Sequence, residues 1–201
     1  MILKASGINV LGIDVLNEPV QQAINNSIVD EAYTRDTPGV EEKIKAATSG
    51  NGSDAVIIAA ATSSNDPINF SGAIARKKGK VVILGAVPTG FDRDPYWYRK
   101  ELELKMSCSY GPGRYDIDYE EKGIDYPYAY VRWTEKRNME AFQSLIEKNS
   151  IDLGYLTTHE FSFEEAPEAY DLVINRTEPY LGIALIYNAN KRAEKKLIKT
   201  N

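Results

Sequence analysis

Asp14 is the first residue whose setting suggests chemistry. It ends the short apolar stretch Gly7-Ile8-Asn9-Val10-Leu11-Gly12-Ile13, which reads as a buried strand. A carboxylate at such a tip accepts hydrogen bonds from ribose hydroxyls in a dinucleotide-binding βαβ unit. Many doubly wound folds carry an acid there with no nucleotide, so Asp14 alone leaves both readings open. The second stretch is Thr62-Ser63-Ser64-Asn65-Asp66-Pro67, directly after the apolar run 54–61. Open α/β sheets bind ligands at this carboxyl edge. The small hydroxyls permit close approach of a ribose or nicotinamide, and they equally make a helix cap. Cys108 and His159 are the only cysteine and histidine, so the usual tetrahedral zinc site cannot be built from this chain.

The glycine-rich phosphate turn that precedes such an Asp by roughly 20 residues falls before residue 1. The expected fold is therefore α/β: a Rossmann-like, doubly wound, mostly parallel sheet, truncated at its N-terminus with the first strand missing. The 201 residues can bury a substantial core, and a net charge of -5 without a basic cluster in the body argues against nucleic acid. No stretch is apolar for long enough to span a bilayer, and no signal peptide opens the chain. A single cysteine fits a reducing, cytoplasmic compartment.

The elements that must position these residues alternate. Residues 2–6 read as the last turn of a helix with Gly7 as its left-handed cap. A helix starts at Asn17-Glu18-Pro19, with proline in its first turn, and 27–33 is a third strand at the sheet edge. Val40, Ile44 and Ala47 mark one face of the next helix. Residues 54–61 are almost continuously apolar, as a central strand buried on both faces should be. A helix over 67–76, capped by Gly79, leads to the strand 80–85. Residues 101–110 alternate polar and apolar, which suits an exposed edge strand able to pair with a second copy. The Tyr-rich insert at 111–133 is too irregular for an element and too aromatic for disorder. It reads as a packed loop or as a substrate-side wall, with Arg114 and Arg132 free for an anion or paired to neighbouring carboxylates. A helix over 138–148 buries Met139, Phe142, Leu145 and Ile146. Then come an extended stretch at 151–158, a helix over 164–174 capped by Ser162 or Phe163, and a closing strand at 180–187.

His159-Glu160-Phe161-Ser162-Phe163-Glu164-Glu165-Ala166-Pro167-Glu168-Ala169-Tyr170 resembles the segment by which medium-chain dehydrogenase/reductases, of the zinc alcohol dehydrogenase and threonine or sorbitol dehydrogenase type, return to their catalytic domain. Gly12-Ile13-Asp14, Gly52-Ser53-Asp54-Ala55-Val56, Gly79-Lys80-Val81-Val82 and Arg99 to Ser109 resemble their second, fourth, fifth and sixth strands, in order. The insert, with Gly111-Pro112-Gly113-Arg114-Tyr115-Asp116 and Tyr130-Val131-Arg132-Trp133-Thr134, is similar to a bacterial bi-domain branch. In that branch a glucose-fructose oxidoreductase or inositol dehydrogenase-like domain follows, often in surface-polysaccharide pathways.

The resemblance implies an incomplete dinucleotide-binding domain over 1–149, a segment at 150–190 that returns to the catalytic domain, and a charged tail at 191–201. It implies NAD held by Asp14 at the ribose and by Thr62, Ser63, Gly85, Ala86 and Val87 around the nicotinamide. Val15-Leu16-Asn17-Glu18 after Asp14 lacks a cation for a 2′-phosphate, which favours NAD over NADP. No residue takes a catalytic role. His159 lies far from the hydride in the family pattern, and a structural hydrogen bond is the reading for it. The expected partners are a second copy through 102–110, the missing upstream catalytic domain and a downstream oxidoreductase domain. The parent would be a dehydrogenase of an alcohol, polyol or sugar, with this chain inactive alone. Two other classes stand beside it: a non-catalytic dimerising nucleotide-binding or interaction module, and an S-adenosylmethionine-dependent methyltransferase-like domain, whose second strand also ends in a ribose-binding acid.

Overall fold

The computed structural model describes residues 1–188; the charged tail at 191–201 lies outside them. The chain divides into a unit over Met1–Lys148 and a second unit beginning at Asn149. In the first unit α1 (Ile2–Ala5) turns at Gly7, whose φ of +78° a side chain would resist, into β1 (Leu11–Asp14). There follow α2 (Asn17–Asn25), β2 (Glu31–Thr34), α3 (Val40–Ala47), β3 (Ser53–Ile58), α4 (Asp66–Ile74) and β4 (Ala75–Ile83). Then come α5 (Tyr98–Lys100), β5 (Glu103–Met106), α6 (Ile117–Glu120) and α7 (Glu135–Glu147). This is a doubly wound α/β sheet, and every strand pairing is parallel.

The sheet is interrupted. β1 pairs with β2, and β3 pairs with β4 and β4 with β5, but no ladder joins β1 to β3. A single helical layer nevertheless passes beneath both parts. Val40 and Ile44 of α3 form a buried cluster with Phe70 and Ile74 of α4, against which Leu11 and Ile13 of β1, Tyr33 of β2 and Val56 of β3 all pack. A second cluster gathers Ile58, Ile68, Val81, Ile83 and Trp97. Ile68 and Val81 are completely buried, each worth about 2 kcal/mol over an exposed side chain. The C-terminus of α4 is held by Lys100, whose ammonium donates to the carbonyls of Gly72, Ala73 and Ala75 at 2.8, 2.7 and 2.7 Å. Burial pushes that ammonium below the usual lysine range.

Several expectations need correction. β3 is buried on one face only: Ala55 and Ile57 are exposed, Ile57 at 46%. The helical layer covers the side of Val56 and Ile58, and Ile57 points the other way. Lys78, with φ +57°, takes the left-handed turn assigned to Gly79. Gly79 is kept small by Arg76, whose carbonyl a Cβ would meet at 2.9 Å. β5 is shorter than 101–110. The face of α7 is only partly covered, with Met139 55% exposed. The stretch 151–158 is not all extended: Gly154–Leu156 is a 3-10 turn.

The second unit contains β6 (Thr157–Ser162), α8 (Ala166–Asn175) and β7 (Gly182–Ile186), with β6 parallel to β7. His159 lies within β6, ahead of α8. The N–H and hydroxyl of Ser162 both donate to one Glu165 oxygen, at 2.9 and 2.8 Å, fixing the turn into α8.

Candidate cofactor edge

Three contacts bring the carboxyl ends of four strands to one edge. Arg35, directly after β2, donates its main-chain N–H to the Asp14 carbonyl at 2.7 Å. Its guanidinium grips Asp66 at the start of α4, Nε to Oδ2 at 2.9 Å and Nη2 to Oδ1 at 2.8 Å, and lies 4.0 Å above the Phe70 ring. Beyond β3, the Thr62 N–H donates to the Ala86 carbonyl at 2.9 Å beside a bridge between Ala61 and Ala86. Thr62 and Ser63 are thereby brought beside Gly85, Ala86 and Val87. Asp14 reaches the same edge through Arg35, with no direct hydrogen bond to the 62–66 loop.

Each residue has a local reason for its place. Asp14 Oδ1 accepts from the Leu16 N–H at 2.9 Å, a turn that leads the chain off the strand. Among the described residues no hydrogen bond occupies its Oδ2. The hydroxyls of the 62–66 loop shape the approach to α4: Thr62 Oγ1 accepts from the Ser64 N–H at 3.2 Å, and Ser64 Oγ from the Asp66 N–H at 3.0 Å. Asn65 is the formal cap and makes no side-chain cap bond. The Ser63 hydroxyl is exposed and has no hydrogen-bond partner among the described residues. Gly85 permits the close approach of the two strand ends, because a Cβ there would lie 2.1 Å from the Ala60 carbonyl oxygen. Val87 packs on the Ile58, Ile68, Val81, Ile83 and Trp97 cluster.

Sequence reasoning missed Arg35. Nothing local links it to an aspartate 31 positions later; only the packing of β2 beside α4 does. Its guanidinium is held by Asp66 and Phe70, so this cation at the edge is already engaged.

The Tyr-rich insert closes on itself and on the start of α7. Asp116 Oδ1 caps α6 through the amides of Asp118 and Tyr119 at 3.0 and 3.4 Å, and its other oxygen accepts the Tyr126 hydroxyl. That bond pushes the Tyr126 phenol up to about 12 and holds Asp116 below the usual carboxylate range. Arg114 pairs with Glu120, and Arg137 with Asp125. Arg132 pairs with no carboxylate among the described residues and lies against rings instead, 4.0 Å from the Trp133 centroid and 4.8 Å from that of Tyr128. In the second unit, His159 Nδ1 lies 2.9 Å from Thr158 Oγ1, and Nε2 lies 3.4 Å from Glu178.

A family model described as zinc-binding dehydrogenase matches residues 1–121. No curated protein sequence matches the chain. Among solved structures, the apo zinc dependent alcohol dehydrogenase 2 from Streptococcus pneumonia is 15% identical with a TM-score of 0.64, covering 92% of this chain and 46% of that one. An alcohol dehydrogenase from Thermus sp. ATN1 is 16% identical, TM-score 0.62, covering 90% and 44%. A short chain alcohol dehydrogenase from Escherichia coli CFT073, solved with NADH, is 18% identical, TM-score 0.60, covering 90% and 46%. The chain thus spans less than half the length of these relatives, and at such identities the likeness concerns the fold.

Proposed function

The chain belongs to the zinc-binding dehydrogenase family, and we propose that it is the cofactor-binding portion of an NAD-dependent oxidoreductase acting on an alcohol, polyol or sugar, without turnover of its own. The observation that carries the reading is Asp14, a carboxylate with one oxygen unclaimed, at the edge shared with Thr62-Ser63 and Gly85 to Val87. Asp14 would accept the adenosine ribose hydroxyls, while Ser63 and the backbone beside Gly85 would border the nicotinamide half. The bound nicotinamide supplies hydride chemistry, and the chain's own residues bind and orient it. The engagement of Arg35 with Asp66 leaves it unavailable to a 2′-phosphate, which supports NAD over NADP.

The family description implies zinc, and the residues present do not fit it. Cys108 follows β5 in the first unit and His159 lies in β6 of the second. No group of three or more His, Cys, Asp or Glu among the described residues could hold a metal ion. The catalytic half, with any zinc ligands or proton relay, would come from an upstream domain. A downstream oxidoreductase domain and a sugar-type substrate complete the proposal for the parent. Pairing of two copies through the exposed strand β5 is part of the same reading. Among the described residues no helix is long and apolar enough to cross a membrane.

Calorimetric titration of the full chain with NAD, NADP and S-adenosylmethionine tests the assignment. We expect NAD to bind most tightly and Asp14→Ala to weaken it at least tenfold, about 1.4 kcal/mol. Preference for S-adenosylmethionine would transfer the chain to the methyltransferase class. Dimerisation without binding of any of the three would leave the non-catalytic module.

A further inference from the structure

Asn69 and Asp92 form a closed pair of hydrogen bonds. The Asp92 N–H donates to Asn69 Oδ1 at 3.0 Å, and Asn69 Nδ2 donates back to Asp92 Oδ2 at 3.1 Å. One residue lies in α4 and the other 23 positions later, beyond β4. The side-chain amide offers one donor and one acceptor in this direction. Asp92 answers the first with its carboxylate and the second with its main chain.

The pair fixes the far end of the chain that leaves β4. Leu84 and Gly85 still donate to the Ile58 carbonyl, and Ala86 accepts from Thr62. Among the described residues no strand pairing continues past Ala86. Leu84 is 55% exposed, and residues 89–92 are exposed as well. Val87 roots the segment in the cluster around Ile58 and Val81. Further on, Gly90 passes so close to Asn65 that a Cβ would lie 3.3 Å from its Nδ2. The Phe91 ring stacks on Trp97 with centroids 4.2 Å apart. An exposed segment outside a ladder frays unless its end is held.

One helix thereby serves both sides of the edge. Asp66 and Asn69 stand one turn apart on α4 and share a face. Asp66 is bonded to Arg35, whose N–H is tied to Asp14. Asn69 is bonded to the segment that carries Ala86 and Val87. The first two turns of α4 register the Asp14 side against the Ala86 side.

We propose that Asn69 is a positioning residue for the nicotinamide half of the cofactor. Its two bonds to Asp92 keep the 86–92 segment against α4, so that Ala86 and Val87 stay beside Thr62 and Ser63. The ligand rests on the dehydrogenase reading above; the clamp does not. Opening the clamp leaves Asp14 in place and loosens the nicotinamide side alone.

The test swaps the two side chains in the full chain. In Asp92→Asn the new amide oxygen still accepts from Asn69, so this variant should behave as wild type. Asn69→Asp sets two carboxylates against each other and should open the pair. Adding Asp92→Asn should close it again, because the amide at position 92 then donates to the carboxylate at 69. Without nucleotide, exchange of the Thr62 amide, which bonds to the Ala86 carbonyl, should speed up about tenfold in Asn69→Asp and return to normal in the double variant. Val81 and Ile83 should be unchanged. In titrations Asn69→Asp should weaken NADH about tenfold and leave AMP, which carries the adenosine ribose alone, unchanged; the double variant should regain NADH. Equal loss of AMP and NADH, or no recovery in the double variant, would overturn the proposal. A wild-type chain that binds neither nucleotide sinks the dehydrogenase reading and the proposal together. AMP binding with an NADH affinity indifferent to Asn69 sinks the proposal alone.

Discussion

Arg35 and Asp66 share two parallel hydrogen bonds across a sheet that has no strand ladder at that point. The carboxylate lies at the head of α4 and the guanidinium at the end of β2, so the pair fastens the β1–β2 part to the β3–β4–β5 part. Both side chains keep partial solvent contact, 33% and 49%, so screening keeps the pair's worth modest. Arg35→Met should lower unfolding stability by about 1 kcal/mol. A double-mutant cycle with Asp66→Asn in urea should recover most of that loss as coupling energy.

The Tyr126 phenol donating to Asp116 has a titration signature. The neutral phenol is favoured in the fold, so its contribution is complete below pH 10 and disappears as pH rises from 10 through about 12. Asp116 is held low by the same bond, so its contribution is present above 3.8 and is lost as pH falls through its lowered folded value. The chain has 13 tyrosines, so the difference in tyrosinate absorbance between wild type and Tyr126→Phe isolates this group. Asp116→Asn should bring its midpoint back toward 10.

Gly85→Ala should be costly out of proportion to one methyl group. The added carbon would strike the Ala60 carbonyl and force the ends of β3 and β4 apart, at a cost on the order of 3 kcal/mol. Exchange at the Thr62 amide, which depends on the Ala86 carbonyl, should accelerate in this variant before global unfolding is reached.

Lys100→Met should destabilise the chain by about 2 kcal/mol, since it removes a charged donor from three terminal carbonyls of α4. Arginine should rescue only part of this, because its planar fork cannot converge on three carbonyls as a compact ammonium does. Urea midpoints of the three proteins would rank wild type, arginine, methionine.

If two copies pair through β5, placing charge on its outer edge should separate them. Leu104 and Met106 are 37% and 59% exposed, and Leu104→Glu with Met106→Glu should convert a sedimenting dimer to a monomer with unchanged circular dichroism.

The elements legible in the sequence are those whose cause is local. The apolar runs at 54–61 and 80–85, the prolines at helix starts and the acid at position 14 each announce themselves within a few residues. What escaped depends on neighbours distant in the chain. Ile57 reads as buried because β-branched runs usually are, and only the tertiary layering exposes it. Lys78 takes the left-handed turn while Gly79 lies against the Arg76 carbonyl, a contact that composition cannot reveal. Arg114 and Arg132 look alike in the sequence; one meets Glu120 and the other lies against Trp133. The strand ends before Asp14 and Thr62 were readable from the apolar runs that lead to them, whereas the Arg35–Asp66 pair was not.

Ile57 and Leu84 carry a consequence for the cell. Unpaired strand edges beside bare apolar side chains are what chaperones hold and proteases cleave. A copy in which these side chains stay bare presents those signals continuously, and a copy in which they are covered hides them. The abundance of the chain would then follow how much of this surface is covered rather than its own rate of synthesis, so that bare copies are cleared and covered ones persist.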